Sequence, residues 1–284
     1  MFKLLRINQY IKNLFIFAPL FFSFNFTLNS FICVSIAFIL FSLIASSVYI
    51  LNDLMDIEED KQHHTKKFRP LSSGKVSKFA AKIMMTGLTG FTLLFSFIFN
   101  SSLFSVIIMY FALNIAYSLK LKHITIIDIF VIATGFVLRL FAGSSVIDTS
   151  PSMWIIIITF LLALFLALAK RRDDVLLSNQ GKEIRKNING YNLEFVNAAM
   201  VLMAGVVIVS YILYTVSEHV MEKLNTHYLY LTTFFVLLGI IRYMQITFVE
   251  QNSGDPTKIV LKDKFLQLTL LCWIISFLII VKVI

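Results

Sequence analysis

The sequence predicts an all-α polytopic membrane protein of about nine transmembrane helices, and three observations carry that prediction. Of the 284 residues, 58% are hydrophobic and only 14% charged, with a mean hydropathy of +0.83. A soluble domain of this length needs more polar surface than that. Apolar runs close to the length of about 20 residues that crosses a bilayer recur along the whole chain. The connections between them alternate between strongly basic and weakly charged. A soluble helix bundle is excluded on the same grounds, because most runs lack the polar face that bundle helices require.

The candidate spans fall at roughly 12 to 26, 30 to 51, 79 to 99, 102 to 119, 124 to 145, 152 to 170, 195 to 216, 227 to 248 and 265 to 282. The first is short enough to lie in the interface. No small-residue cleavage site follows it, so it reads as a retained helix and not a signal peptide. All but Arg139, Lys223 and Lys282 of the 25 Lys and Arg residues lie on connections assigned to one side. The positive-inside rule makes that side the cytoplasm and places the N-terminus there. An odd number of spans then leaves the C-terminus outside. The net charge of +9 is thus topological, and nucleic acid is not expected as a partner. Trp154 and Tyr228, near span ends, read as interface anchors. Cys33 and Cys272 lie in apolar spans as small hydrophobes, so neither a disulfide framework nor a cysteine metal site is expected. Gly and Pro are sparse, no linker is visible, and residues 1–284 read as one membrane-embedded domain.

The long polar connections, 52 to 78, 171 to 194 and 249 to 264, all face the cytoplasm in this topology, which puts the chemistry at a cytoplasmic mouth of the cell (inner) membrane. The most informative is Asn52-Asp53-Leu54-Met55-Asp56-Ile57-Glu58-Glu59-Asp60, at the end of the second span. On a helix, Asn52, Asp56 and Asp60 recur every fourth residue and share a face, with Asp53 one position round. Helical rise spreads the three over about 12 Å, enough for two hard cations bridging a diphosphate. Carboxylates so crowded repel one another unless a metal compensates them. Lys66, Arg69, Pro70 and Gly74 follow in a basic turn able to neutralise phosphate oxygens. His63 and His64 lack partners at metal-ligand spacing.

A second group comprises Tyr117, Lys122, Asp128 and Arg139. Asp128 and Arg139 share a helical face three turns apart, and ionised groups at that depth line a cavity or pair with each other. A third is Lys170-Arg171, where a topogenic charge run and anionic-phosphate binding are both open. In the last connection, Asp255-Pro256 starts a helix or lid.

The first motif and its basic loop, Asn52, Asp53, Asp56, Asp60, Lys66, Arg69, Pro70 and Gly74, resemble those of the UbiA superfamily of intramembrane transferases. That resemblance implies nine helices around a central cavity and Mg²⁺ as the cofactor. A finer resemblance is to the branch that uses phosphoribosyl pyrophosphate in place of a prenyl diphosphate. It rests on the segment Arg6 to Asn13 with Ala18-Pro19-Leu20, on Leu121-Lys122-His123 to Asp128, and on Gly135-Phe136 to Arg139 with Ala142-Gly143. Ala169-Lys170-Arg171 and the pattern from Asp255-Pro256 to Asp263 extend it. Asp128 is the lone acid of its segment, where many prenyl-transferring relatives carry a fuller aspartate cluster.

The resemblance implies an Mg-dependent phosphoribosyltransferase with phosphoribosyl pyrophosphate as donor and a polyprenyl phosphate as acceptor. In it Asn52, Asp56 and Asp60, helped by Asp53, hold the metal, while Lys66 and Arg69 face the departing diphosphate. Tyr117, Lys122 and Asp128 position the ribose, and Arg139 or Lys170 with Arg171 holds the lipid phosphate. Asp56, Asp60, Asp128 and Lys122 carry the catalysis. A UbiA-type prenyltransferase is the first alternative and a transporter the second, the latter weakened because no paired interrupted helices are apparent. Oligomeric state is not legible, and a homo-oligomer stays open.

Overall fold

A computed structural model of the chain describes residues 2–23, 26–62, 66–147, 149–179, 188, 190–251 and 254–282. Among them eight helices are long and apolar enough to cross a bilayer. In the first half these are α2 (Leu28–Met55), α4 (Lys78–Phe99), α5 (Ser101–Leu119) and α6 (Ile127–Ser144). In the second they are α7 (Met153–Asn179), α8 (Leu193–Thr215), α10 (Thr233–Phe248) entered through a 3-10 turn at Leu229–Thr232, and α12 (Lys264–Lys282). Short helices α3 (Ile57–Gln62), α9 (Glu218–Leu224) and α11 (Pro256–Lys262) sit in connections.

The short first candidate span, at 12 to 26, is not one continuous α-helix. That region is a 3-10 helix, Ile7–Phe17, running into α1 (Ala18–Ser23). Pro19 has no N–H to give Phe15, so an α-helical ladder cannot pass through it and the α turn begins there. At 2.0 Å and then 1.5 Å per residue the seventeen residues still measure about 31 Å, the reach of a span.

Helix starts follow side-chain chemistry. Thr27, Ser77, Asn100 and Asn192 each accept a hydrogen bond from the backbone N–H three residues on, capping α2, α4, α5 and α8. Asn100 both ends α4 and caps α5, so one residue turns the chain back across the bilayer. Large apolar side chains such as Phe97, Ile98 and Met109 are exposed, as lipid-facing residues are when acyl chains are the solvent.

The chain divides into two compact units, Met1–Ser152 with Leu177–Asn187, and Met153–Leu176 with Ile188–Ile284. In the first, α2 is the central helix: Val34, Ala37, Phe41, Ile44 and Val48 pack with Leu103, Ile107, Tyr110, Leu138, Ala142 and Ile16. Gly143 lets α6 and the 3-10 helix touch backbone to backbone, since a Cβ there would lie 1.9 Å from the carbonyl oxygen of Ile16. Gly143→Ala is therefore expected to cost about 1–3 kcal/mol by overpacking, read as a lowered unfolding temperature in detergent. In the second unit, Trp273 of α12 donates to the Tyr211 hydroxyl of α8 at 2.8 Å, and that hydroxyl pairs with Thr232 at 2.7 Å, tying three helices.

Candidate active site

The acidic stretch stands on a small apolar cluster of Leu4, Ile50, Ile57, Leu71 and Ala81, all less than 6% exposed. Four of the five members anchor segments that carry polar site residues. Leu4 seats the segment that carries Arg6, Leu71 the loop that carries Arg69, and Ile50 and Ile57 the ends of α2 and α3. The Arg69 loop closes through backbone bonds from Ser73 to Arg69 and from Val76 to Pro70, with Gly74 in the left-handed region at φ 72.

Asp56 interrupts the helix between α2 and α3, yet the ladder continues. Its N–H donates to the Asn52 carbonyl at 3.0 Å, and the Asp60 N–H donates to the Asp56 carbonyl at 2.7 Å. Asn52, Asp56 and Asp60 therefore keep their fourth-residue spacing along one side. Among the described residues no three of His, Cys, Asp and Glu converge on one point, as an axial spread of side chains dictates.

Each carboxylate faces a cation instead. Asp60 accepts from Arg69 Nη1 at 2.6 Å, and the same nitrogen lies 3.1 Å from Asp53 Oδ1. Arg6 Nη2 donates to that Oδ1 as well, and Lys122 pairs with Asp56. Asp53 and Asp60 are 1% and 2% exposed, so their charges need these partners. Burial lowers the Arg6 guanidinium from its ordinary value, opposed chiefly by Asp53. The Ser118 hydroxyl contacts Asn52 Oδ1 and the Asn114 carbonyl. Glu58 and Glu59 turn outward, Glu58 pairing with Lys61. Hard carboxylate and amide oxygens are the donor set that suits Mg²⁺, and the three acids here are each paired with a cation.

The remaining predicted site residues of the first unit take varied places. Lys122, 8% exposed, reaches the acidic tip from the connection before α6. Asp128 is fully buried in the first turn of α6, just after Ile126, whose φ of 72 is strained for a β-branched residue. Tyr117 is half-buried at the end of α5. Arg139 joins neither the acidic tip nor Asp128: Nε donates to Asn13 Oδ1 at 2.8 Å and Nη1 to the Gly135 carbonyl at 2.7 Å. The rings of Phe41, Tyr110 and Phe136 surround its guanidinium at 5.1 to 5.2 Å. Side chains of Lys66, His63 and His64 lie outside the described residues. Sequence reasoning did not assign Arg6 or Ser118 to the site. Arg6 had a signal, its place in the N-terminal motif, but its partner lies 47 positions away.

In the second unit, Arg171 is 1% exposed and ion-paired with Asp174, one turn on, and Lys170 beside it is half-buried. Neighbouring Arg172 donates to Asn197 and the Thr247 carbonyl. Gly254 leaves room for Asp173, whose Oδ2 would be 2.4 Å from a Cβ there. Asp255 caps α11 with Pro256 at its first position, so that pattern starts a helix.

Asp263 caps α12 and receives Arg242 Nη2 at 2.6 Å. That hydrogen bond, with the Leu266 N–H assisting, holds its carboxyl below the ordinary 3.8. A lowered folded-state value stabilises fully above that range, and the contribution is lost as pH falls through the lowered value. Asp263→Asn keeps a cap but removes this titration. Its unfolding temperature is expected to fall less between pH 5 and pH 3 than that of the unaltered chain.

Fold and site together define an integral polytopic membrane protein with an acidic helix tip surrounded by cations. The chain belongs to the UbiA prenyltransferase family, whose family model matches residues 14–268. It is 32% identical over 282 residues to the decaprenyl-phosphate phosphoribosyltransferase of Corynebacterium glutamicum, covering 96% of this chain and 84% of the relative. To the protein of that name from Mycolicibacterium smegmatis it is 32% identical over 248 residues, covering 85% and 78%. Its fold is similar to that of a UbiA homolog from Archaeoglobus fulgidus bound to DMAPP and Mg²⁺, with a TM-score of 0.72 over 99% of both chains. At 16% identity that likeness is one of fold.

Proposed function

We propose that the chain is an Mg-dependent enzyme that transfers the 5-phosphoribosyl group of phosphoribosyl pyrophosphate to a polyprenyl phosphate and releases diphosphate. The observation that carries the reading is the tip of α2 and α3, where three aspartates are matched by Arg6, Arg69 and Lys122. Such a set exchanges partners without stranding a charge: when carboxylates bind metal, the freed guanidinium and ammonium groups turn to phosphate oxygens. Support for the sugar donor comes from the corynebacterial and mycobacterial relatives, alike over most of the chain.

In this reading Asn52, Asp56 and Asp60 hold Mg²⁺, which supplies Lewis-acid neutralisation of the leaving diphosphate. Arg69 and Lys122 give hydrogen bonds to the developing negative charge, and Asp128 with Tyr117 orients the ribose. A lipid phosphate oxygen attacks C1 as the bond from C1 to the diphosphate oxygen breaks, with inversion and oxocarbenium character at that carbon. A phosphate anion is already nucleophilic, so no general base is required and positioning dominates. The positive-inside pattern supports a cytoplasmic position for this tip, where a water-soluble donor would meet a lipid acceptor.

A second reading, prenyl transfer from a prenyl diphosphate, is favoured by the family's name and by the DMAPP held in the archaeal homolog of the same fold. Purified protein with Mg²⁺ and polyprenyl phosphate separates the two. Phosphoribosyl pyrophosphate is expected to add one phosphoribosyl mass to the lipid by mass spectrometry. Turnover only with a prenyl diphosphate and a separate acceptor would overturn the first reading in favour of the second.

A further inference from the structure

We propose that Asn13 is a positioning residue for the transfer reaction. Held by Arg139 and Ser42, it keeps the segment Ile7–Phe17 at 3-10 pitch and so sets how far that segment carries Arg6 toward Asp53; its effect on turnover rests on the reading above that the tip of α2 and α3 holds the donor. An unbroken 3-10 run of eleven residues needs support from outside, because its hydrogen bonds are poorer than those of an α-helix and longer runs are uncommon. The contacts supply that support. Residues three apart eclipse on a 3-10 helix, and Tyr10, Asn13 and Ile16 form such a row. Tyr10 pairs with Ser46 of α2 at 2.8 Å, Asn13 Nδ2 donates to Ser42 of α2 at 2.9 Å, and the Ile16 backbone packs against Gly143 of α6. The segment and α2 run in opposite directions here. Three residues of 3-10 helix and four of α-helix both rise about 6.0 Å, so the row and the serines stay in register. At α-helical pitch three residues rise about 4.5 Å and leave the two side chains about 60° apart, so Tyr10 and Asn13 could not both reach their serines.

Arg139 fixes which way the Asn13 amide faces. Its Nε donates to Asn13 Oδ1 at 2.8 Å, and a guanidinium can only donate, so the amide nitrogen is turned to Ser42. Asn13 is 1% exposed and Arg139 5% exposed. Among the described residues the hydrogen-bond partners of Arg139 are all neutral: Asn13, the Gly135 carbonyl and, at 3.4 Å, the Tyr110 hydroxyl. A cation at that depth without a carboxylate is costly, and packing alone would be served as well by an apolar side chain. Toward the N-terminus, Ser46 donates at 2.8 Å to the carbonyl of Leu5, the residue before Arg6, and Arg6 pairs with Asp53. Eleven residues measure about 22 Å at 3-10 pitch and about 16.5 Å at α-helical pitch. Loss of the row therefore draws Arg6 back by up to about 5 Å, away from the carboxylate.

Distances between two spin labels test this without relying on turnover. The labels sit on Lys3→Cys and Lys61→Cys, both exposed positions, in the full chain in detergent with Cys33→Ala and Cys272→Ala. Asn13→Ala is expected to shift the distance by up to about 5 Å. Asn13→Asp accepts from both Arg139 and Ser42 and is expected to keep it. Tyr10→Phe with Ser42→Ala removes both bonds to α2 with little change of shape, so it should shift the distance as well. With phosphoribosyl pyrophosphate, Asn13→Ala should raise KM for the donor about 10-fold while KM for polyprenyl phosphate stays unchanged. An unchanged distance in Asn13→Ala, or in the double variant should the first not fold, overturns the proposal. So does a loss of kcat with both KM values unchanged, which would mark Asn13 as a support of the fold alone. Lack of turnover with phosphoribosyl pyrophosphate by the unaltered chain defeats the phosphoribosyl reading and leaves the distances to decide Asn13.

Discussion

Asp56→Ala is expected to lower Mg²⁺-dependent transfer by about 10²–10³-fold, the scale seen when one preorganised group is removed from a developing charge. Asp60→Ala is expected to do the same. Asp56 sits at the break between α2 and α3 with its side chain 18% exposed, so its loss unseats no core residue. Its partner Lys122 is left without a carboxylate but remains near the mouth. Glu58→Ala and Glu59→Ala serve as controls, since both side chains are exposed and turned away from the aligned face. Those variants should retain turnover within about twofold, as surface changes usually do. Turnover measured in detergent, with unfolding temperature followed in parallel, checks the set. Retained activity in either aspartate variant, with the fold intact, removes that residue from the metal role.

Arg69→Ala should give the second large effect, on stability as well as on activity. Its guanidinium is the common partner of Asp53 and Asp60, and removing it leaves the buried Asp60 without a cation among the described residues. Breaking a buried pair from one side costs about 3–5 kcal/mol. If Arg69 occupies carboxylates that otherwise hold metal, Mg²⁺ alone should bind the variant more tightly and raise its unfolding temperature more than that of the unaltered chain. An unfolding temperature equally indifferent to Mg²⁺ in both proteins would show that Arg69 has no such part.

Much of the helical layout was legible because lipid demands it. Spans need apolar runs near one length, and the candidate runs from 30 to 51 onward coincide with the eight long helices to within a few residues at most ends. Caps such as Asn100 and the Asp255-Pro256 start are local chemistry, readable from three or four residues. The form of the short first run was not legible because Pro19 acts on backbone geometry, which hydrophobicity does not register. Arg139 has the burial expected of a charge at depth, but its partners come from Asn13, Gly135 and three rings. No periodicity on α6 could have named Asn13.

The sequence by itself determined that this chain is a membrane protein with an acidic tip on its second long helix, because apolar length and fourth-residue spacing are properties of a single segment. Only the tertiary structure decided which cation meets which carboxylate. Arg6, Arg69 and Lys122 come from the N-terminal segment, the loop before α4 and the connection before α6, and they converge on Asp53, Asp56 and Asp60. For Arg6 and Arg69 that pairing follows from how Leu4, Ile57 and Leu71 pack into one cluster, a choice made in space between residues far apart in the chain.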